Sequence, residues 1–178
     1  MDILKPVQTL FAGVAAATLM LAATSSHAAD ESTLPTAGDK VETYWDAKYW
    51  TVFKNTTRQS CFVEWRGETS AVQAGLTKAQ DAGYLGAFLK DAEFPEGERD
   101  VTIVLNGTYY TGKATTVSQS LSGGFNGAYI VVTNPQFVRD LEEAREFVAF
   151  QDTPYTVKVA LKTPRNAIER VRICMDSF

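Results

Sequence analysis

The chain has 178 residues, 17 of them Lys or Arg and 21 Asp or Glu, for a net charge of −4. That length suits one domain with or without a tail, and at 45% hydrophobic residues the chain is too apolar to be largely disordered. The pI of about 5.1 excludes a typical nucleic-acid binder, which carries a basic patch or a high pI.

Residues 1–28 read as an export signal. Lys5 supplies a weak positive start, and Leu10 to Ala23 is apolar and uncharged. Ser26-His27-Ala28 then places small residues at the −3 and −1 positions of a signal-peptidase site. The apolar run is 14 residues, shorter than the roughly 20 that span a bilayer. The expected location is therefore the periplasm. The alternative is an uncut segment anchoring the domain to the membrane, with the domain facing the periplasm. His27 is the only histidine and leaves with the signal. The mature chain then lacks the base of a Ser-His-Asp or Cys-His site and the imidazole of common zinc sites.

Residues 29–47 read as an N-terminal arm, and 48–178 as a single globular domain. Within the arm, Tyr44 and Trp45 are candidate interface residues, because Trp and Tyr are favoured anchors in protein contacts. Residues 49–54 and 59–66 alternate in the manner of strands, with a turn at 55–58. In the second run, Cys61, Val63 and Trp65 share one face. Residues 67–83 are Gly- and Ala-rich and read as a short helix or a loop. A third strand is expected at 84–90.

The sequence DVTIVLNGTYYTGK predicts a hairpin. Val101, Ile103 and Leu105 alternate, and Asn106-Gly107 tolerates the positive φ of a type I′ turn. Residues 111–127 are rich in Gly, Ser and Thr and read as a long loop. Gly123, Gly124 and Phe125 within it are further candidate interface residues. A buried strand is expected at 128–133.

Asn134-Pro135 then opens a helix, with Asn as N-cap and Pro in the first turn. Phe137, Val138, Leu141, Ala144 and Val148 continue it at helical spacing. Residues 155–161 read as a strand. Thr163-Pro164 repeats the cap-and-proline pattern before a last helix, in which Ala167, Ile168, Val171 and Cys174 share a face. Cys61 and Cys174 are the only cysteines, and in an oxidising compartment they pair. The expected fold class is α+β: an antiparallel sheet or small β-sandwich of six to seven strands, two C-terminal helices and one disulfide.

Catalytic patterns are weak. Glu93, Glu96, Glu98 and Asp100 are split by Pro95 and Gly97 and read as a solvated loop. Glu142-Glu143 reads as a solvated helix face. Ser118, Ser120 or Ser122 with Lys113 lacks the S-x-x-K spacing. No calcium-loop spacing occurs. No catalytic residue, metal or cofactor is expected.

Several short pieces recur in a familiar order. They are Trp50-Thr51-Val52, Cys61-Phe62-Val63, Phe94-Pro95, Val101-Thr102-Ile103, Asn106-Gly107-Thr108-Tyr109, a helix, Val159-Ala160-Leu161-Lys162 and a last helix ending at Cys174. Over roughly residues 48–176 this resembles the invasion-associated locus B family of exported alphaproteobacterial proteins. The 111–127 loop and Thr163-Pro164 depart from the family pattern. The resemblance implies a small exported β-rich domain and host-cell interaction in some pathogens. The expected function is a non-catalytic periplasmic interaction protein. It would bind another envelope or host protein, or serve as an accessory subunit of an envelope complex. The alternative is a small-ligand or enzyme-inhibitor module using the 111–127 loop. A protein partner is expected, no nucleic acid, and the membrane only if the signal is retained.

Overall fold

The computed structural model describes residues 34–76, 83–114, 119–121, 123–132 and 134–178. The expected export signal lies outside them. The described strands are β1 (Val41–Asp46), β2 (Thr51–Asn55), β3 (Ser60–Arg66), β4 (Ser70–Leu76), β5 (Gly83–Lys90), β6 (Arg99–Leu105), β7 (Thr108–Ala114), β8 (Gln119–Leu121), β9 (Phe125–Val132), β10 (Glu146–Ala149) and β11 (Val157–Ala160). The helices are α1 (Pro135–Glu143) and α2 (Pro164–Met175).

All strands join one antiparallel sheet, in the order β1-β2-β3-β4-β5-β9-β7-β6-β10-β11, with β8 beside β9. The expected α+β plan of six to seven strands is therefore corrected: the molecule is mostly β, with eleven described strands. The two C-terminal helices are present, as is the Cys61–Cys174 disulfide, with a Cα–Cα distance of 6.1 Å.

The sheet coils, as right-handed strand twist accumulated over many strands dictates. Its two ends approach each other: Trp50, at the start of β2, donates its indole N–H to the carbonyl of Lys162, just past β11. The inner face holds the main core. Val52, Cys61, Val63, Leu85, Ile103, Ile130 and Phe147 pack there against Phe137 and Leu141 of α1 and Ile168, Val171 and Cys174 of α2.

Four local expectations are overturned, each for a physical reason. Residues 70–76, expected in a helix or loop, form β4. Both faces of this strand are buried, so it shows no polar alternation. Its Ala and Gly residues lower strand propensity, yet Gly75 has no room for a side chain, because the Tyr84 ring lies over it.

The helix expected to reach Val148 stops at Glu143, and Val148 belongs to β10. The stop comes from a neighbouring hairpin. Asn106 accepts from the backbone N–H of Arg145 and Glu146 and donates to the carbonyl of Glu143. The apolar spacing runs through the stop because β10 also buries Phe147 and Val148. Residues 111–127 are chiefly strand rather than loop. The continuation through β7 and β8 pairs with β9, and Gly123 and Gly124 turn the chain with φ of 84° and 80°. Thr163 adopts φ 54° and its side chain does not cap α2. Asn134 does cap α1, accepting from the Gln136 N–H. Asn106 (φ 48°) and Gly107 (φ 87°) form the expected hairpin turn.

The expected arm is also ordered in part. Residues 41–46 form β1, paired with β2. Before them, Asp39 clasps the chain to the β2–β3 turn. Its carboxylate accepts from Asn55 Nδ2 at 2.7 Å, Arg58 Nε at 3.0 Å and Thr36 N at 2.9 Å.

Candidate functional site

The outer face of the sheet carries two features. The first is a groove of about 440 Å³ over β6, β10 and β11, lined by Val104, Tyr109, Glu146, Val148, Asp152, Lys158 and neighbouring atoms of Gln151 and Thr156. Alternation explains it. Val104 pairs with Tyr109 on one side and Val148 on the other, and Val148 pairs with Lys158, so all four side chains point outward together. The two valines form an apolar floor. Tyr109 stands beside them, 69% exposed. The rim is charged: Lys158 pairs with Glu146 at 3.0 Å, and Asp152 sits in a turn at φ 62°. Thr156 Oγ1 braces this turn by donating to the carbonyls of Phe150 and Thr153.

The second feature is aromatic. Phe62, Ala71, Tyr84, Phe88, Phe125 and Tyr129 cluster on the outer face of β3, β4, β5 and β9, together with Leu34. Cross-strand glycines make room for the rings: Gly75 opposes Tyr84, Gly86 opposes Tyr129, and Gly127 opposes Phe88. Tyr129 stands edge-on to both Tyr84 and Phe88, at 5.6 and 5.5 Å. A buried polar chain crosses the cluster. Tyr129 donates to Gln73 Oε1, Gln73 Nε2 donates to Glu64 Oε2 at 2.7 Å, and Arg66 Nε donates to Glu64 Oε1 at 2.8 Å. Burial pushes the Tyr84 and Tyr129 hydroxyls well above the ordinary phenol value. The Tyr84 and Ser60 hydroxyls are buried with no hydrogen-bond partner among the described residues.

The candidate interface residues do not converge. Tyr44 is 39% exposed on the edge strand β1. Trp45 is half-buried against the inner core, with the Arg170 guanidinium 5.8 Å from its ring. Gly123 and Gly124 are exposed at the β8–β9 turn, while Phe125 is buried at 5% exposure beneath Arg66. That turn lies beside β9, far along the strand path from β1. Tyr109 was not singled out by the sequence reading. The available signal was Tyr109-Tyr110 itself: adjacent strand residues face opposite ways, so one tyrosine had to face out.

Four of the acids with a conceivable catalytic role carry ion pairs. Glu98 and Asp100 flank Lys113 at 3.4 and 3.0 Å, all three exposed. Glu142 and Glu143 are more than a solvated face, since they bind Arg172 and Arg165 of α2. Ser118 and Ser122 lie outside the described residues. Among the described residues no three of His, Cys, Asp and Glu converge on a metal position.

Two carboxylates are held in the ionised form. For Asp39, burial works against the charge, but hydrogen bonds from Asn55, Thr36 and Arg58 outweigh it and keep the pKa below 3.8. For Asp140, the bonds from Tyr110 and Gln136 lower it. A folded-state pKa below the unfolded one stabilises the fold above the unfolded pKa, and that stability is lost as pH falls through the folded value. Asp39→Asn should therefore reduce the urea midpoint at pH 7 and narrow the gap between pH 7 and pH 3. Equal midpoint losses at both pH values would remove Asp39 from the acid response.

No family model, curated protein or solved structure matches the chain. The reading of function therefore rests on the residues of the outer face.

Proposed function

We propose that this chain is an exported, non-catalytic protein-binding domain of the periplasm, as its resemblance to the invasion-associated locus B family implies. The observation that carries the reading is Tyr109, exposed beside an apolar floor on the outer face of the sheet. Aromatic side chains of this kind anchor protein contacts.

The occupant fitting the groove is an extended, basic segment of another envelope protein. Among the described residues β11 ends the strand path, and the end strand of a sheet can take an added strand by main-chain hydrogen bonding. Among the described residues the rim holds Glu146 and Asp152 against one cation, Lys158, so it favours positive charge. The face of the Tyr109 ring adds a cation–π surface. The groove volume also suits a small ligand. A small ligand would fill the groove without protecting β11 amides from hydrogen exchange, and that measurement separates the two.

The test is calorimetric titration with an extended peptide alternating Val and Arg. Tyr109→Ala should weaken binding about tenfold, the scale of a modest interface anchor, and a Val/Glu peptide should bind worse still. Equal affinity for both peptides, or no effect of Tyr109→Ala, would overturn the reading.

A further inference from the structure

The turn between β10 and β11 bounds the groove, and it holds two non-glycine residues in the left-handed region, Phe150 at φ 54° and Asp152 at φ 62°. That region costs free energy for residues with a side chain and is easiest for glycine. Phe150 has a reason to be there. Its ring is buried against Phe94 and Tyr155, at centroid distances of 5.2 and 5.6 Å. Asp152 has no such packing, since the residue is exposed. An aspartate in a turn commonly bonds the backbone beside it, yet among the described residues this carboxylate makes no hydrogen bond or ion pair. The Thr153 and Thr156 hydroxyls brace the turn instead, both donating to the Phe150 carbonyl.

The charge is therefore left for the groove, which Asp152 lines. The other acid there, Glu146, is held by Lys158 at 3.0 Å. Those two cancel, so among the described residues the groove's uncompensated charge is the one carboxylate at its turn end. Position matters as much as sign. Asp152 precedes the start of β11 at Val157, and Lys158 is the second residue of that strand. A cation lying over Lys158 is repelled, and one beside the turn is attracted. Every described pairing in the sheet is antiparallel, the more stable arrangement per residue. A strand added antiparallel to β11 brings its C-terminal end to this turn.

We propose that Asp152 is the residue that reads charge in the groove, and that it reads a single cation at the C-terminal end of the incoming segment. The partner is then a segment of apolar and neutral residues, laid over the valine floor and ending in one Arg or Lys. Basic residues elsewhere along it add nothing. This inference rests on the groove reading and narrows it, from a basic segment to one with its charge at a defined end.

The test is calorimetric titration of the full chain with two Val/Thr peptides of equal composition. One carries a single Arg at its C-terminal end and the other at its N-terminal end. Both are acetylated and amidated, so that only the Arg is charged. The first should bind about fivefold more tightly, the scale of one exposed ion pair. Asp152→Gly and Asp152→Asn should each abolish that difference and leave the affinity for the second peptide unchanged. Their urea midpoints should stay close to that of the unsubstituted chain; a clear fall in both would make the carboxylate a brace of the turn and sink the proposal. Equal binding of the two peptides by the unsubstituted chain, or a preference that survives both substitutions, would overturn the inference while leaving Tyr109-dependent binding in place. Binding of neither peptide would remove the groove reading and this inference together.

Discussion

Replacing Cys61 and Cys174 together by alanine is expected to cost about 4 kcal/mol of stability. The pair closes a loop with a sequence separation of 113 residues, and in the chain-entropy model a loop of that size contributes roughly 4–5 kcal/mol. Both cysteines are fully buried, and alanine fills most of the same space, so the loss reports the cross-link more than the packing. The bond ties β3 to α2. It adds to what already holds that helix: Ile168, Val171 and Met175 in the core, and Arg172 and Arg165 on the acids of α1. The melting temperature should fall by on the order of 10 °C, as expected for a domain of this size. A fall below about 2 °C would show that helix packing alone holds α2, and that the cross-link is not what stabilises the last element.

Gly127→Val should be at least as damaging, and for a different reason. A Cβ at Gly127 would sit 2.7 Å from Phe88 Cα and closer still to the carbonyl oxygen of Ala87. Both obstacles are backbone atoms of β5, so no rotamer change relieves them. β5 and β9 pair along their whole length in the centre of the sheet, and forcing them apart disrupts both faces. Overpacking in a core typically costs 1–3 kcal/mol. With backbone as the obstacle, the expected loss is about 3 kcal/mol or more, read as a lower urea midpoint. Gly38→Ala is the control, since nothing lies within 4 Å of a Cβ there, and it should be close to neutral. Equal midpoints for the two variants would refute the close approach of β5 and β9.

These two cases mark what the sequence discloses. Features set by nearby residues were legible. Asn106-Gly107 specifies its own turn, Asn134-Pro135 its own helix start, and two cysteines allow only one pairing. Features set by distant residues were not. Gly75 of β4 is a glycine because Tyr84, on the next strand, fills the space above it, and no local pattern carries that. The end of α1 is written in Asn106, 37 residues from Glu143. The apolar spacing that seemed to extend the helix belongs instead to β10. The Ser/Gly-rich stretch at 111–127 looked like a loop because its strand residues are small and hydroxylated; its partner, the apolar β9, supplies the register. The same logic governs the outer face. The groove exists because β6, β7, β10 and β11 align Val104, Tyr109, Val148 and Lys158 in one row, and two of those four, Val148 and Lys158, belong to strands whose pairing only the fold reveals.

The central claim is that the row at Tyr109 receives an extended basic segment of a partner. The most direct measurement is a backbone NMR titration of the ¹⁵N-labelled protein with the Val/Arg peptide. The account predicts saturable shifts confined to residues 103–109, 146–152 and 156–160, together with slowed hydrogen exchange along β11. Shifts that do not saturate, or that gather instead at β1 and the Gly123-Gly124 turn, would contradict it.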